Sequence, residues 1–247
     1  MRLQFVGSGD AFGSGGRFNT CFRVEGPSGD FLIDCGASTL IALRKLGIDP
    51  NAIGTIFISH LHGDHFGGLP FLLLDCQFMA KRTRPLRLIG PTGFKAQLDA
   101  ALEALFPGTP TLSWSFPWHV EETPARHPLR FSGLIIETFE VPHVSSGLST
   151  GIRISDGKTI FAYSGDTEWS EVLFELSAGA DIFVIECYSG EKPVAHHMDW
   201  PKLKAKLPGF TAKRIIVTHM NQSALARASE MEQAGLTIAY DGLSFDL

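Results

Sequence analysis

The sequence predicts an α/β fold in which two similar halves of strands and helices stack as helix–sheet–sheet–helix. Two observations carry this reading. Short apolar runs of strand character alternate with segments of helical periodicity along the whole chain, and the densest polar cluster falls on a loop between an apolar strand and an apolar helix. The 247 residues, 44% of them hydrophobic, supply ample core. No linker or low-complexity stretch divides them, so residues 1–247 read as one domain.

In chain order, residues 2–6, 19–24 and 30–34 read as short strands. The first two are separated by a glycine-rich loop, 7–16, whose glycines permit close backbone approach and can border a substrate. Ser38 or Thr39 caps a helix running to Leu46, and Gly47 stops it. Residues 53–58 form a buried strand and 69–79 an apolar helix. A strand at 86–89 turns through Gly90-Pro91-Thr92-Gly93 into a helix with Phe94, Leu98, Ala101, Leu102 and Leu105 on one face. The proline-studded 107–128 region reads as irregular. Strands follow at 134–141, 148–154 and 158–163. Helices at 168–178, 200–206 and 223–234 then alternate with strands at 181–186, 214–218 and 236–240.

No apolar run reaches the roughly 18–20 residues that span a bilayer. The first residues pass into a strand pattern with no signal-peptide layout, which leads to the expectation of a cytoplasmic protein. Cys21, Cys35, Cys76 and Cys187 are widely spaced and read as reduced, buried thiols. A net charge of -5 argues against a surface that attracts nucleic acid globally. Lys81-Arg82-Thr83-Arg84 with Arg87 is the local exception, read either as a solvated loop or as a phosphate contact.

The chemistry is concentrated in Ile58-Ser59-His60-Leu61-His62-Gly63-Asp64-His65-Phe66-Gly67-Gly68. Four metal-binding side chains, His60, His62, Asp64 and His65, fall within six residues on a loop between two rigid elements. One tetrahedral ion cannot easily take all four from so short a segment, which favours two adjacent ions. A histidine-rich surface loop is the competing reading, but the flanking strand and glycines are what a loop pinned around metal needs. Four further polar residues stand at strand or helix ends: His143 after Val141-Pro142, Asp166 in Ser164-Gly165-Asp166-Thr167, His219 after Thr218, and His197 before a helix.

The His-x-His-x-Asp-His pattern after an apolar strand resembles the signature of the metallo-β-lactamase superfamily. Within it the chain is similar to the RNase Z branch. This likeness rests on Gly7-Ser8-Gly9, on Phe31-Leu32-Ile33-Asp34-Cys35-Gly36, on residues 84–93, on Ala162-Tyr163-Ser164-Gly165-Asp166-Thr167, and on His197, which lies 219 − 197 = 22 residues before His219. The resemblance implies a four-layer αββα metallo-β-lactamase-like sandwich. It implies that His60, His62 and His143 hold one ion, that Asp64, His65 and His219 hold the other, and that Asp166 bridges them. Asp64 and His197 are the implied catalytic residues, His197 as general acid or phosphate contact, and Asp34 orients a ligand histidine or is a turn aspartate. Two close divalent ions acidify a water between them, which becomes the nucleophile. The thiolate-free donor set suits zinc first, and also manganese or iron.

Departures from the branch shape the expected substrate. The interval 166 − 143 = 23 residues leaves no room for the arm that many tRNA-processing members insert there, His197-Met198-Asp199 stands where the branch has His-Ser-Thr, and His219-Met220-Asn221 where it has His-Phe-Ser. The sequence therefore points to a phosphodiesterase acting on a small-molecule or nucleotide-like phosphodiester, with RNA disfavoured as a partner. A tRNA 3′-processing endonuclease and a lactone or thioester hydrolase on the same metals are the alternatives. RNase Z relatives are commonly homodimers, and the 69–79 helix offers an apolar face for that interface.

Overall fold

The computed structural model describes residues 1–26, 29–131 and 133–247, the side chain of Pro110 excepted. The first sheet contains β1 (Arg2–Gly7), β2 (Cys21–Gly26), β3 (Gly29–Ile33), β4 (Ile53–Phe57), β5 (Leu86–Gly90), β6 (Trp118–Glu122) and, from the C-terminus, β14 (Ser244–Asp246), in the order β14-β1-β2-β3-β4-β5-β6. The second contains β7 (Leu129–Phe131), β8 (Leu134–Glu140), β9 (Thr150–Ser155), β10 (Ile160–Tyr163), β11 (Ile182–Glu186), β12 (Ile215–Thr218) and β13 (Thr237–Ile238), in the order β13-β12-β11-β10-β9-β8-β7. Each sheet starts antiparallel and ends parallel: pairing changes at β3 in one and at β10 in the other. The two halves thus repeat one plan, as expected for the αββα sandwich.

Alternation along the strands builds three apolar layers. Phe22, Val24, Phe31, Ile33 and Phe57 of the first sheet meet Ile152, Ile154, Phe161, Tyr163 and Val184 of the second. Phe22 is central there, edge-on to Phe5 at 5.0 Å and to Tyr163 at 4.9 Å between ring centres. The opposite face of the first sheet packs under α1 (Thr39–Lys45), α3 (Leu69–Leu74) and α4 (Phe94–Leu105) through Leu43, Leu72, Leu73, Leu98 and Leu102. The outer face of the second packs under α5 (Val172–Ser177), α6 (Trp200–Lys206), α7 (Gln222–Leu225) and α8 (Ala228–Gln233) through Leu173, Leu176, Leu203, Ala224 and Met231. No helix among the described residues is long and apolar enough to cross a membrane.

Several local expectations are corrected. The 107–128 region is not wholly irregular, because it holds β6, whose flanking prolines lie just outside the strand. As an edge strand pairing on one side only, β6 tolerates such neighbours. The 69–79 helix widens into a π turn at Asp75–Met79, and the 223–234 helix breaks at residues 226–227 into α7 and α8. Ser38 stands before α1 but its hydroxyl donates to Asn19 Oδ1 instead of capping. Strands β7 and β14, three residues each, were not expected. All four cysteines are buried free thiols, as read from their spacing.

The arginines of the basic run bond within the fold, although Lys81 and Arg84 stay exposed. Arg82 is 1% exposed and donates to four main-chain carbonyls, those of Asn51 (3.4 Å), Ile53 (2.8 Å), Arg84 (2.8 Å) and Pro85 (2.7 Å). Arg84 donates to the carbonyl of Ala52, and Arg87 pairs with Glu121. These carbonyls sit where β4 and β5 begin, whereas the histidine loop follows the far end of β4. A lysine cannot reproduce a planar fork bonded to four carbonyls, so Arg82→Lys is expected to lose about 2–4 kcal/mol of stability. Urea unfolding measures the loss, and the turnover of the folded variant should match the parent. Lost turnover at unchanged stability would instead place the run at the substrate.

Candidate metal centre

The carboxyl ends of parallel strands gather the polar residues along one edge of the sandwich, the usual place for a site in open α/β sheets. Strand β3 ends at Asp34, β4 runs into residues 58–62, and α2 (Gly63–Phe66) carries Asp64 and His65. From the second sheet, β10 leads to Asp166, β11 ends on Glu186 and β12 leads to His219. His143 follows β8, and His197 lies just before α6. A side chain on Gly36 would meet the Asp64 carbonyl at 2.0 Å, so glycine is required for the turn after β3 to lie against the histidine loop.

All seven expected ligand residues come together in two groups. His60, His62 and His143 form one; Asp64, His65, Asp166 and His219 form the other, with ligand atoms in each group within 4.8 Å of one another. Asp166 Oδ2 spans them, 3.8 Å from His60 Nε2, 3.3 Å from His65 Nε2 and 3.2 Å from His219 Nε2. His60, His65, Asp166 and His219 form a buried floor, while His62, Asp64, His143 and His197 reach toward solvent.

The hydrogen bonds behind the rings test whether the residues fit divalent ions. His65 Nδ1 donates to Asp34 Oδ2 at 2.8 Å, and His143 Nδ1 donates to the His196 carbonyl at 2.7 Å. The Ser59 hydroxyl donates to Asp34 Oδ2, so His60 Nδ1 donates to Ser59 Oγ at 3.1 Å. The Thr20 hydroxyl likewise donates to the Gly9 carbonyl, so His219 Nδ1 donates to Thr20 Oγ1 at 3.3 Å. In four rings the outer nitrogen therefore carries a proton, so that the neutral, ligand form of each ring would turn the lone pair of Nε2 inward. His62 joins through Nδ1, 3.0 Å from His143 Nε2. His60 Nε2, His65 Nε2 and Asp166 Oδ1 are buried without any partner. Buried polar atoms left unpaired are costly, and a ligand-forming ion would satisfy all three. The donor set fits divalent metal. Asp34 holds His65, and through Ser59 it also steadies His60, which a mere turn aspartate would not do.

The electrostatics ask for positive charge. Burial alone would raise the Asp166 carboxyl, but His219, His65 and His60 hold it well below the usual range. Burial would lower His65, yet Asp166, Asp64 and Asp34 together keep it protonated well above its ordinary value, a role divalent ions would take over. Desolvation drives His60 the other way, to the neutral ligand form.

Beside this floor, His197 Nδ1 donates to Glu186 at 3.1 Å and 3.3 Å from its two carboxylate oxygens. Burial lowers His197, but the bond to Glu186 and its charge, with Asp166 and Asp64 beyond, outweigh it and raise the ring to about 9. Tyr188 stacks on its face at 4.6 Å between ring centres. Neither Glu186 nor Tyr188 was singled out from sequence, although a carboxylate closing the otherwise apolar strand 181–186 was a readable signal. Asp199 caps α6 by accepting from Lys202 N at 2.9 Å, as its place after His197 suggested. Backbone strain also collects here: Asp34, His196 and His219 adopt left-handed φ of 62°, 66° and 58°, each at roughly 1–2 kcal/mol for a residue with a Cβ.

Comparison with known proteins agrees with this geometry. A family model described as "Anti-Pycsar protein Apyc1" matches residues 1–240. Ribonuclease BN of Erwinia tasmaniensis is 27% identical, over 91% of this chain and 90% of that protein. Ribonuclease Z of Methanothermobacter thermautotrophicus is 25% identical, over 90% of this chain and 87% of that protein. The crystal structure of human tRNase Z, short form (ELAC1), superposes with a TM-score of 0.81 at 23% identity, covering 100% of this chain and 99% of that one. A diphosphatase from the PhnP family superposes with a TM-score of 0.78 at 19% identity, covering 100% and 97%. Those two likenesses establish the shared fold. The chain belongs to the family described as Anti-Pycsar protein Apyc1, is a member of the RNase Z-like branch of the metallo-β-lactamase superfamily, and is a metal-dependent hydrolase.

Proposed function

We propose that residues 1–247 act as one hydrolase domain, a dinuclear metal phosphodiesterase for a small or nucleotide-like phosphodiester. The observation that carries this reading is a protonated, carboxylate-backed His197 standing at the rim of a buried floor of inward-facing imidazole and carboxylate atoms. In it, His60, His62 and His143 would hold one ion and Asp64, His65 and His219 the other, with Asp166 available to both. Zinc is the first choice of metal for this nitrogen and oxygen set, with manganese or iron also suited. When bound, such ions supply a nucleophile at neutral pH and neutralise charge building on the phosphoryl oxygens.

The chain's own groups do the rest. Asp64, kept ionised by His65 against the effect of burial, accepts a hydrogen bond from the attacking water and orients it. The new bond forms between that water's oxygen and phosphorus, and the proton the water sheds passes to solvent. As the bond from phosphorus to the leaving oxygen breaks, His197 delivers its Nε2 proton to that oxygen, and Glu186 stabilises the ring in its charged form. Tyr188 holds the plane of the ring.

A second reading, tRNA 3′ processing, is favoured by the ribonuclease Z and BN relatives that match along nine-tenths of the chain. Those matches do not support setting RNA aside as a partner. Against it stand Arg82 and Arg87, which are bonded within the fold, and the 143–166 interval, which β9 and β10 fill as an antiparallel pair. A panel of bis-p-nitrophenyl phosphate, 2′,3′-cyclic nucleotides, pre-tRNA and a lactone separates the readings. Turnover of the small phosphodiesters with weak, salt-insensitive pre-tRNA binding is expected. Pre-tRNA cleavage whose binding falls steeply between two salt concentrations would establish the second reading, and lactone turnover with inert phosphodiesters would overturn both.

Three further outcomes follow from the same groups. Chelation should abolish turnover and lower the thermal midpoint, since each site filled at a thousand times its Kd contributes about 4 kcal/mol. Zinc or manganese should restore both, and an unchanged midpoint in calorimetry would argue against bound metal. His197→Ala should lower kcat about 10²–10⁴-fold for an alkyl leaving group, and much less for p-nitrophenolate, which needs no proton. Because Glu186 raises His197, the acid form is present below about 9 and is lost as pH rises through that region. Glu186→Gln should move this alkaline limb of the rate profile to lower pH, and an unmoved limb would remove His197 from the acid role.

A further inference from the structure

We propose that Asp241 is a positioning residue for His219, acting through the loop after β1 and the threonine that bears on the ring. The inference rests on the metal assignment above. Asp241 lies on the segment that leaves β13 in the second sheet and enters β14 in the first, so it sits where the chain crosses between the two. Its Oδ1 accepts from Ser8 N at 2.9 Å and from Ser8 Oγ at 2.8 Å, while Oδ2 accepts from Phe18 N at 2.9 Å. One carboxylate therefore clamps both stems of the 7–18 loop, 233 and 223 residues distant in sequence.

That loop is what His219 leans on. The Ser8 carbonyl accepts from His219 N at 3.2 Å and from Thr218 Oγ1 at 3.2 Å. The Gly9 carbonyl accepts from Thr20 Oγ1 at 3.0 Å, and the same hydroxyl oxygen takes the His219 Nδ1 proton. The stems lie so close that a side chain on Gly7 would meet the Asn19 carbonyl at 2.0 Å. His219 holds a left-handed backbone, φ 58°, which needs outside support, and it receives that support from residues 8 and 20. Of the other ion's residues, His60 is held by Ser59, His143 by the His196 carbonyl and His62 by His143, whereas the hydrogen bonds of the Asp241 carboxylate go to Ser8 and Phe18. The clamp therefore acts on one metal site and not on the other.

An amide at 241 places an NH2 group against N–H donors that the carboxylate accepts, so Asp241→Asn loosens the clamp without changing its shape. The test equilibrates parent and variant in zinc-buffered solutions and reads bound zinc by mass spectrometry. The parent should bind two ions. Asp241→Asn should bind its first ion as the parent does and its second about 10–100-fold more weakly, the usual effect of losing an outer partner of a ligand. Asp241→Glu should recover part of the loss. Thr20→Val, which removes the hydroxyl at His219 Nδ1 directly, should give the same selective weakening and serves if the Asp241 variants do not fold. Parent-like binding of both ions by Asp241→Asn, or equal weakening of both, overturns the proposal. A parent that does not bind two ions overturns the metal assignment instead.

Discussion

The carboxylate of Asp166 is buried among three imidazoles, and the rest of the site is arranged around that fact. An ionised carboxylate out of water requires either proton or cation beside it. Here the supporting hydrogen bonds put a ring proton on the outer side of His60, His65, His143 and His219, so any of these rings in its neutral form turns a lone pair, not a donor, toward the centre, and His65 keeps a second proton against the carboxylates until a cation replaces it. A floor that prefers lone pairs around an anion is stable only with positive charge in its centre. Divalent ions answer that demand, and the unpartnered atoms His60 Nε2, His65 Nε2 and Asp166 Oδ1 are its local record.

The two sheets contribute differently. The first offers its candidate ligands within one continuous stretch after β4, stiffened from below by Asp34, whose carboxylate reaches Ser59 and His65 together. The second offers single residues from separate strand ends, Asp166 after β10 and His219 after β12. Contiguous ligands keep their spacing by local backbone geometry. Dispersed ligands keep theirs only through packing of the layers and through contacts between sheets, of which Thr150 donating to the Ser59 carbonyl is one, from both its backbone N–H at 3.1 Å and its hydroxyl at 2.8 Å.

This difference also decides what sequence could reveal. The contiguous motif was legible because three histidines and an aspartate crowded into six residues of one loop serve a metal site and serve a solvated surface poorly. The layered fold was legible because its helices and central strands carry strong periodicities, and most of them lie where the pattern put them. Asp166, His143, His219 and His197 were placed by likeness to a known branch, since a lone polar residue at a strand end looks the same whether it caps, binds or catalyses. Glu186 escaped for that reason: its partner His197 is eleven residues away along the chain, and only the fold brings the two together. Edge strand β6 was hidden by prolines that matter inside a strand and not beside one. The purpose of the arginines at 82, 84 and 87 was hidden because composition cannot distinguish a cation facing solvent from one bonded to carbonyls.

Under the proposed function, the rim of the site would separate binding from proton delivery. His62, Asp64 and His143 are partly exposed on one side and His197 on another, where the rings of His197, Tyr188 and His219 form a triangle with centres 4.6, 5.7 and 5.9 Å apart. Glu186 behind it is fully buried, and burial pushes its carboxyl up while His197 pulls it back, so the pair keeps one proton that resides on the ring. A proton held there by a buried carboxylate is kept at a fixed point beside the floor, on a ring that Tyr188 covers on one face and that stays partly open to solvent. Under the proposed function, a leaving oxygen that must be protonated could depart only when the substrate is oriented with that oxygen toward His197. On that reading, orientation at this rim, more than affinity for the ions, would be the physical basis on which one phosphodiester is distinguished from another.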